Sequence, residues 1–292
     1  MNFVFFGTPQ IAADTLEILK KNGYLPSLIV TAPDKPVGRK QIITPPPVKV
    51  WAEKNKIPIL QPEKLDSDFK LEIGNCLPCV ALAKWGKLEI FIVVAYGKIF
   101  PEWLINLPGH GTLNIHYSLL PKYRGAAPVQ SAILNGETET GVTIQKMVYK
   151  LDAGPIVAQE KIAIGKDEKT PELMERLTKI GSDLLVKILP DYIEGKIKLQ
   201  EQNHVEATFC KKIVKEDGLI DLNNDGAKNY NKFRAYTSWP RTFFFHNNKR
   251  IIITNAVLED DPFDKVQSKK FTIKKVLPEG KKETLFTNYF QN

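Results

Sequence analysis

Between Phe3 and Tyr117 short apolar runs alternate with stretches of helical period, and this alternation constrains the fold more than any other property of the chain. Phe3 to Phe6, Ser27 to Thr31, Ile57 to Leu60, Glu89 to Ala95 and Thr112 to Tyr117 read as strands. The intervening Ile11 to Leu19, Val48 to Lys54, Phe69 to Leu77 and Pro101 to Ile105 read as helices. Strands joined through helices run parallel by right-handed crossovers, so the pattern predicts an α/β fold with a mainly parallel sheet. Ile156 to Ile164 predicts a further strand, and Thr170 to Ile193 a long amphipathic helix with Thr170 as N-cap and Pro171 at N1. From Ala207 the texture changes. Phe243 to Phe245, Arg250 to Thr254 and Phe271 to Val276 are short β-like segments separated by turn residues, with one helix candidate at Gly226 to Tyr236. This predicts a small barrel or sandwich appended to the α/β domain.

The first turn argues against a common ligand class. Thr8 is placed as an N-cap with Pro9 at N1, but Gly7-Thr8-Pro9-Gln10-Ile11-Ala12 has one glycine where a dinucleotide loop needs G-x-G-x-x-G. No nicotinamide or flavin cofactor is expected. Pro33 to Pro47 is rich in proline and basic residues and has no clear period; Lys35, Arg39 and Lys40 project from it. On charge alone it reads as a solvated loop. The formal charge of +8 hints at an anionic partner, and it is denser after His204, at +5 over 89 residues against +3 over the first 203. Cys76, Cys79 and Cys210 leave an odd count that fits a reducing compartment. Cys76-Leu-Pro-Cys79 lacks the further ligands a structural zinc site wants, so no metal is expected. With no signal-peptide pattern and no apolar run of about 20 residues, the expected location is cytoplasmic, with no membrane association.

Chemistry concentrates between Gly109 and Asp152. Thr112 to Tyr117 alternates, with Leu113, Ile115 and Tyr117 on one face and Asn114 and His116 on the other, roughly 7 Å apart at about 3.3 Å per residue. A buried parallel strand normally spends both faces on apolar side chains. The polar pair therefore suggests a site, at the carboxyl end of a strand, where open α/β sheets bind ligands. A single buried histidine is ordinarily structural, and so is an aspartate in a turn, which is where Leu151-Asp152-Ala153-Gly154 lies. The expectation here is that the turn folds over the pair and completes a triad. An amide and an imidazolium can hold a developing oxyanion, and a carboxylate can accept a proton. No G-x-S-x-G elbow points to a covalent nucleophile. The set suits transfer of a one-carbon acyl group between nitrogens.

These motifs carry a resemblance. Asn114-Ile-His116, Ser118-Leu-Leu-Pro-Lys-Tyr-Arg-Gly125 and Asp152 match the signature of the folate-dependent formyltransferases. Phe5-Phe6-Gly7-Thr8-Pro9, Pro33-Asp34-Lys35-Pro36-Val37-Gly38-Arg39, Leu60-Gln61-Pro62-Glu63-Lys64-Leu65, Lys215-Glu216-Asp217-Gly218 and Trp239-Pro240 resemble the methionyl-tRNA formyltransferase family within them. The resemblance implies a Rossmann-like formyltransferase domain over residues 1–190, a linker over 191–203 and an OB-like β-barrel over 204–292 that helps bind tRNA. It implies 10-formyltetrahydrofolate as donor and methionyl initiator tRNA as acceptor. Asn114, His116 and Asp152 would be catalytic. Ser118, Leu119, Leu120, Pro121, Tyr96 and Gly97 would line the folate pocket. Lys35, Arg39 and Lys40 would contact tRNA, which turns the solvated loop into a binding element. A monomer is expected. Two departures stand out: an apparent insertion between Leu71 and Ile90, and Arg241 after Trp239-Pro240 where the family usually has glycine. The competing readings are a formyltransferase acting on glycinamide ribonucleotide or a nucleotide-sugar amine, and an RNA-binding protein without catalysis.

Overall fold

The computed structural model describes residues 1–38, 40–82, 88–260 and 269–289. Arg39, the side chains of Cys76 and Cys79, and residues 83–87 within the apparent insertion fall outside the described residues. In chain order the elements begin β1 (Phe3–Gly7), α1 (Gln10–Lys21), β2 (Leu28–Val30), β3 (Lys35–Val37), β4 (Ile42–Thr44), α2 (Pro47–Asn55), β5 (Ile59–Leu60) and α3 (Ser67–Leu82). They continue β6 (Ile90–Val94), α4 (Glu102–Ile105), β7 (Thr112–His116), β8 (Arg124–Gly125), α5 (Pro128–Leu134), β9 (Glu139–Lys146), β10 (Ile156–Ala163) and α6 (Thr170–Ile193). The last group is β11 (Phe209–Cys210), α7 (Gly226–Ala235), β12 (Phe243–His246), β13 (Lys249–Asp260), β14 (Lys269–Pro278), β15 (Thr284–Leu285) and α8 (Phe286–Tyr289). Among the described residues no helix is long and apolar enough to cross a membrane.

Two compact units form. The first gathers Met1–Arg124, Gly141–Lys161 and Glu175–Phe209; the second gathers Gly125–Thr140, Ile162–Met174 and Cys210–Asn292. The main sheet has the order β10-β9-β7-β6-β1-β2-β5. β1 pairs in parallel with β2 and β6, β2 with β5, and β6 with β7, so the mainly parallel sheet read from the alternation is present. β9 runs antiparallel to β7. Central β1 buries all five residues because helices cover both its faces. On one face Val4, Phe6, Leu28, Val30, Phe91 and Val93 meet Phe69 and Ile73 of α3 and Leu104 and Ile105 of α4. The ring of Phe6 makes edge contacts with Phe91, Tyr96 and Phe100 at 5.0, 5.5 and 4.9 Å. On the other face α6 approaches so closely at Gly181 that a Cβ there would stand 2.9 Å from Ile115 and Val142.

In the second unit β12-β13-β14-β15 form a four-stranded antiparallel sheet, within the stretch where the sequence predicts a small β domain. Tyr230 and Phe233 of α7 pack with Ile251, Ile253 and Val276 of that sheet. Its strands are longer than the sequence pattern predicts, because a register shift at Asn255 breaks the alternation of β13.

Three local readings are corrected. Thr8 does not cap α1: Pro9 occupies the N-cap position without a side-chain bond. The Thr170 hydroxyl donates to the Ala235 carbonyl, while Glu172 accepts from the Lys169 N–H at 2.9 Å and so supplies the capping bond. The aperiodic Pro33 to Pro47 loop is largely a β-hairpin, β3 against β4, and all six residues of the two strands are exposed.

Candidate active site

The face of β7 that carries the polar pair continues an apolar one. Asn114 lies beside Val93 of β6, so it shares the face of the Phe6–Phe91 cluster, while Ile115 turns to α6. Across the antiparallel boundary Asn114 stands opposite Gln145 and His116 opposite Thr143. Directly opposed side chains share a face. Four polar residues therefore collect where β7 ends.

His116 is 5% exposed, and its Nε2 lies 2.9 Å from the Tyr123 carbonyl oxygen. A carbonyl only accepts, so Nε2 carries a hydrogen and Nδ1 is the nitrogen not taken up by that bond. Nδ1 faces Oδ2 of Asp152 at 3.7 Å, an ion-pair distance too long for a hydrogen bond. The structure thus brings His116 and Asp152 together, with half-buried Asn114 on the same strand face.

Asp152 sits in the left-handed region at φ 45°, and several contacts hold it there. Its Oδ1 accepts from Gln145 Nε2 at 2.8 Å. Its backbone carbonyl accepts from Gln202 Nε2 at 2.9 Å, and the same amide reaches the Gly154 carbonyl at 2.6 Å. Buried Arg124 donates from Nε and Nη2 to Gln202 Oε1 at 3.1 and 2.6 Å. Burial pulls the Arg124 guanidinium down from its ordinary range, and the Asp152 carboxylate opposes that shift. At Gly154 a Cβ would collide with the Lys146 carbonyl, so the turn closes only with glycine.

The Ser118–Pro121 loop hangs on Thr143. The Thr143 hydroxyl donates to the Ser118 carbonyl at 2.7 Å and accepts from Leu120 N–H at 3.1 Å and Gln159 Nε2 at 2.8 Å. Ser118 is fully buried with its hydroxyl on the Lys122 carbonyl, Leu120 is buried, and Leu119 and Pro121 are half-buried. Tyr96 is buried beyond β6, and its hydroxyl has no partner among the described residues; burial pushes its phenol well above the ordinary range. Gly97 is exposed at φ 81°.

Lys35 and Lys40 are exposed on the β3–β4 hairpin, beside exposed Val37, Ile42 and Ile43. The hairpin is tied at its base by Asp34, which accepts from Gln61 at 2.8 Å and from Lys49 at 2.8 and 3.0 Å. The Gln61 bond, then the Lys49 bond, hold the Asp34 carboxyl below its usual range.

Sequence reasoning missed Gln145, Thr143 and Gln202. The first two were visible in principle, since Thr143 and Gln145 alternate with Val142 and Ile144 as Asn114 and His116 do with Ile115. Gln202 stands in the predicted linker, and nothing local marks it.

The formyl transferase family profile matches residues 1–189, and the profile of the formyl transferase C-terminal domain matches residues 212–285. The chain belongs to the formyl transferase family. The methionyl-tRNA formyltransferase of Halalkalibacterium halodurans is 41% identical over 250 residues, 85% of this chain and 76% of that protein. That of Thermotoga maritima is 41% identical over 264 residues, 90% of this chain and 82% of that protein. Among solved structures, an N-formyltransferase from Helicobacter canadensis in complex with folinic acid and dTDP-3-aminofucose is similar with a TM-score of 0.68 at 19% identity. The match covers 93% of this chain and 98% of that one.

Proposed function

We propose that this chain transfers the formyl group of 10-formyltetrahydrofolate to the α-amino group of methionine on initiator tRNA, as a cytoplasmic monomer. The observation that carries this reading is the approach of His116 to Asp152, 3.7 Å apart, at the carboxyl end of β7. The methionyl-tRNA formyltransferases that resemble it over most of its length support the acceptor. The amine nitrogen attacks the formyl carbon, and the carbonyl electrons move onto oxygen. The Asn114 amide and protonated Nδ1 of His116 donate to that oxyanion. Asp152 accepts the proton that the new ammonium sheds, directly or through water. Collapse then breaks the bond between the carbon and N10, which takes up a proton as tetrahydrofolate leaves. With Nε2 committed to Tyr123, Nδ1 is the ring nitrogen that takes part.

In this reading Ser118, Leu119, Leu120, Pro121, Tyr96 and Gly97 shape the donor pocket, the first four through the loop held by Thr143. Lys35, Arg39 and Lys40 carry the hairpin against the acceptor stem, and basic residues of the domain from about residue 204 track phosphates. The test is radiolabelled formyl transfer to charged initiator tRNA, with glycinamide ribonucleotide and a nucleotide-sugar amine as competing acceptors. Wild type is expected to label the tRNA, and His116→Ala to be slower by about 10²–10³-fold, the range for losing one oxyanion donor. Labelling of the sugar amine instead, or tRNA binding without turnover, would overturn the reading.

A further inference from the structure

We propose that Gln145 is a positioning residue of the transfer reaction, its side-chain amide turning the Asp152 carboxylate so that Oδ2 is presented to His116. The inference rests on the reading that Asp152 relays the proton, and it adds the group that aims it. Gln145 is 1% exposed on β9, directly opposite Asn114. Its Nε2 donates to Asp152 Oδ1 at 2.8 Å, while the other carboxylate oxygen stands 3.7 Å from Nδ1 of His116. Flipping the amide would set two acceptors against each other, so Asp152 fixes which way it points. Gln202 and the close approach at Gly154 hold the backbone of the turn. Backbone bonds do not set the torsions of the Asp152 side chain, and the Gln145 amide acts on those directly.

A second observation separates this from packing. Gln145 Oε1 is buried with no partner among the described residues. Buried acceptors are nearly always satisfied, because leaving one open costs the whole of its lost hydration. An apolar side chain of the same length would fill the space without that cost. A glutamine whose amide is met and whose carbonyl is not serves the group its amide holds, and supporting bonds of this kind govern how well a reacting side chain is aimed.

Two variants and one cycle test it, with kcat, KM for donor and tRNA, and thermal midpoint measured for each. Gln145→Met keeps length and removes the donor; Gln145→Glu keeps shape and sets a carboxylate against Asp152. The expected order of kcat is wild type, then Met, then Glu, with Met lower by about 10–100-fold, the usual effect of losing a supporting hydrogen bond. KM values should stay within about twofold and the Met midpoint should not fall. In an Asp152→Ala background, Gln145→Met should cost less than about threefold more, because the oxygen that accepts the Gln145 amide is gone. Wild-type kcat in Gln145→Met, Glu outperforming Met, equal losses in both backgrounds, or unfolding of both variants would assign Gln145 to packing and overturn the proposal. An Asp152→Ala enzyme with undiminished rate would instead remove the role of Asp152, and the positioning role with it.

Discussion

Replacing Thr143 by valine keeps the shape of a buried side chain and deletes one oxygen on which a whole loop depends. That hydroxyl is fully buried and serves three partners: the Ser118 carbonyl, the Leu120 N–H and the Gln159 amide. Gln159 keeps its second bond, 2.8 Å to the Leu120 carbonyl. The Ser118 carbonyl and the Leu120 N–H lose the bonds that Thr143 supplies. A buried group stripped of its partner costs about 1–3 kcal/mol, so the two together cost about 2–6. The methyl that replaces the hydroxyl returns about 1 kcal/mol of burial. The net loss is about 1–5 kcal/mol, which at roughly 2–4 °C per kcal/mol lowers the melting midpoint by about 2–20 °C. Thr143→Ser keeps all three bonds and gives up a methyl, for about 1 kcal/mol. Thermal and urea melts of both variants should therefore rank serine above valine. KM for the folate donor should rise several-fold for valine only, since the loop from Ser118 to Pro121 loses its anchor. A serine variant as unstable as the valine one, or a valine variant within about 0.5 kcal/mol of wild type, would refute the reasoning.

Further outcomes follow from the hairpin, from Arg241 and from Gly154. Joint Lys35→Ala, Arg39→Ala and Lys40→Ala substitution should raise KM for tRNA at least tenfold and leave KM for the donor unchanged. It should also lower the slope of log affinity against log salt by about one for each phosphate that is no longer neutralised; equal loss for both substrates would count against a tRNA role. Arg241 holds φ 66°, a conformation that costs a side chain about 1 kcal/mol and glycine almost nothing. Arg241→Gly should raise the melting midpoint by a few degrees, and an unchanged or lower midpoint would show that the arginine side chain more than offsets its backbone strain. Gly154→Ala forces the Asp152 turn away from the Lys146 carbonyl, so kcat should fall with stability in the same variant; full kcat would show that the turn tolerates the shift.

Much of the catalytic side was legible because it is written in short periods. Apolar runs of four to six residues between helical stretches sufficed for the parallel sheet, since a strand buried on both faces has no polar position to spare. Period two alone put Asn114 and His116 on one face. The family motifs then marked Asp152, and the glycine missing at Arg241 appears in the structure as a left-handed residue. The β3–β4 hairpin was illegible for the converse reason: it buries neither face, so no alternation was imposed on it. Thr170 looks like a cap by local rules, but a tertiary partner, the Ala235 carbonyl, takes its hydroxyl.

Residue order alone singled out the polar side chains proposed for the chemistry and the strand that carries Asn114 and His116. Three-dimensional packing was needed to settle which ring nitrogen of His116 is left open, which oxygen of Asp152 faces it, and that Gln145, Thr143 and Gln202 support the arrangement. Periodicity is a property of neighbouring residues, set by backbone geometry within a window of a few positions. The partner of a buried polar atom is set by which distant segments pack beside it, and dehydration there makes that one choice costly to change.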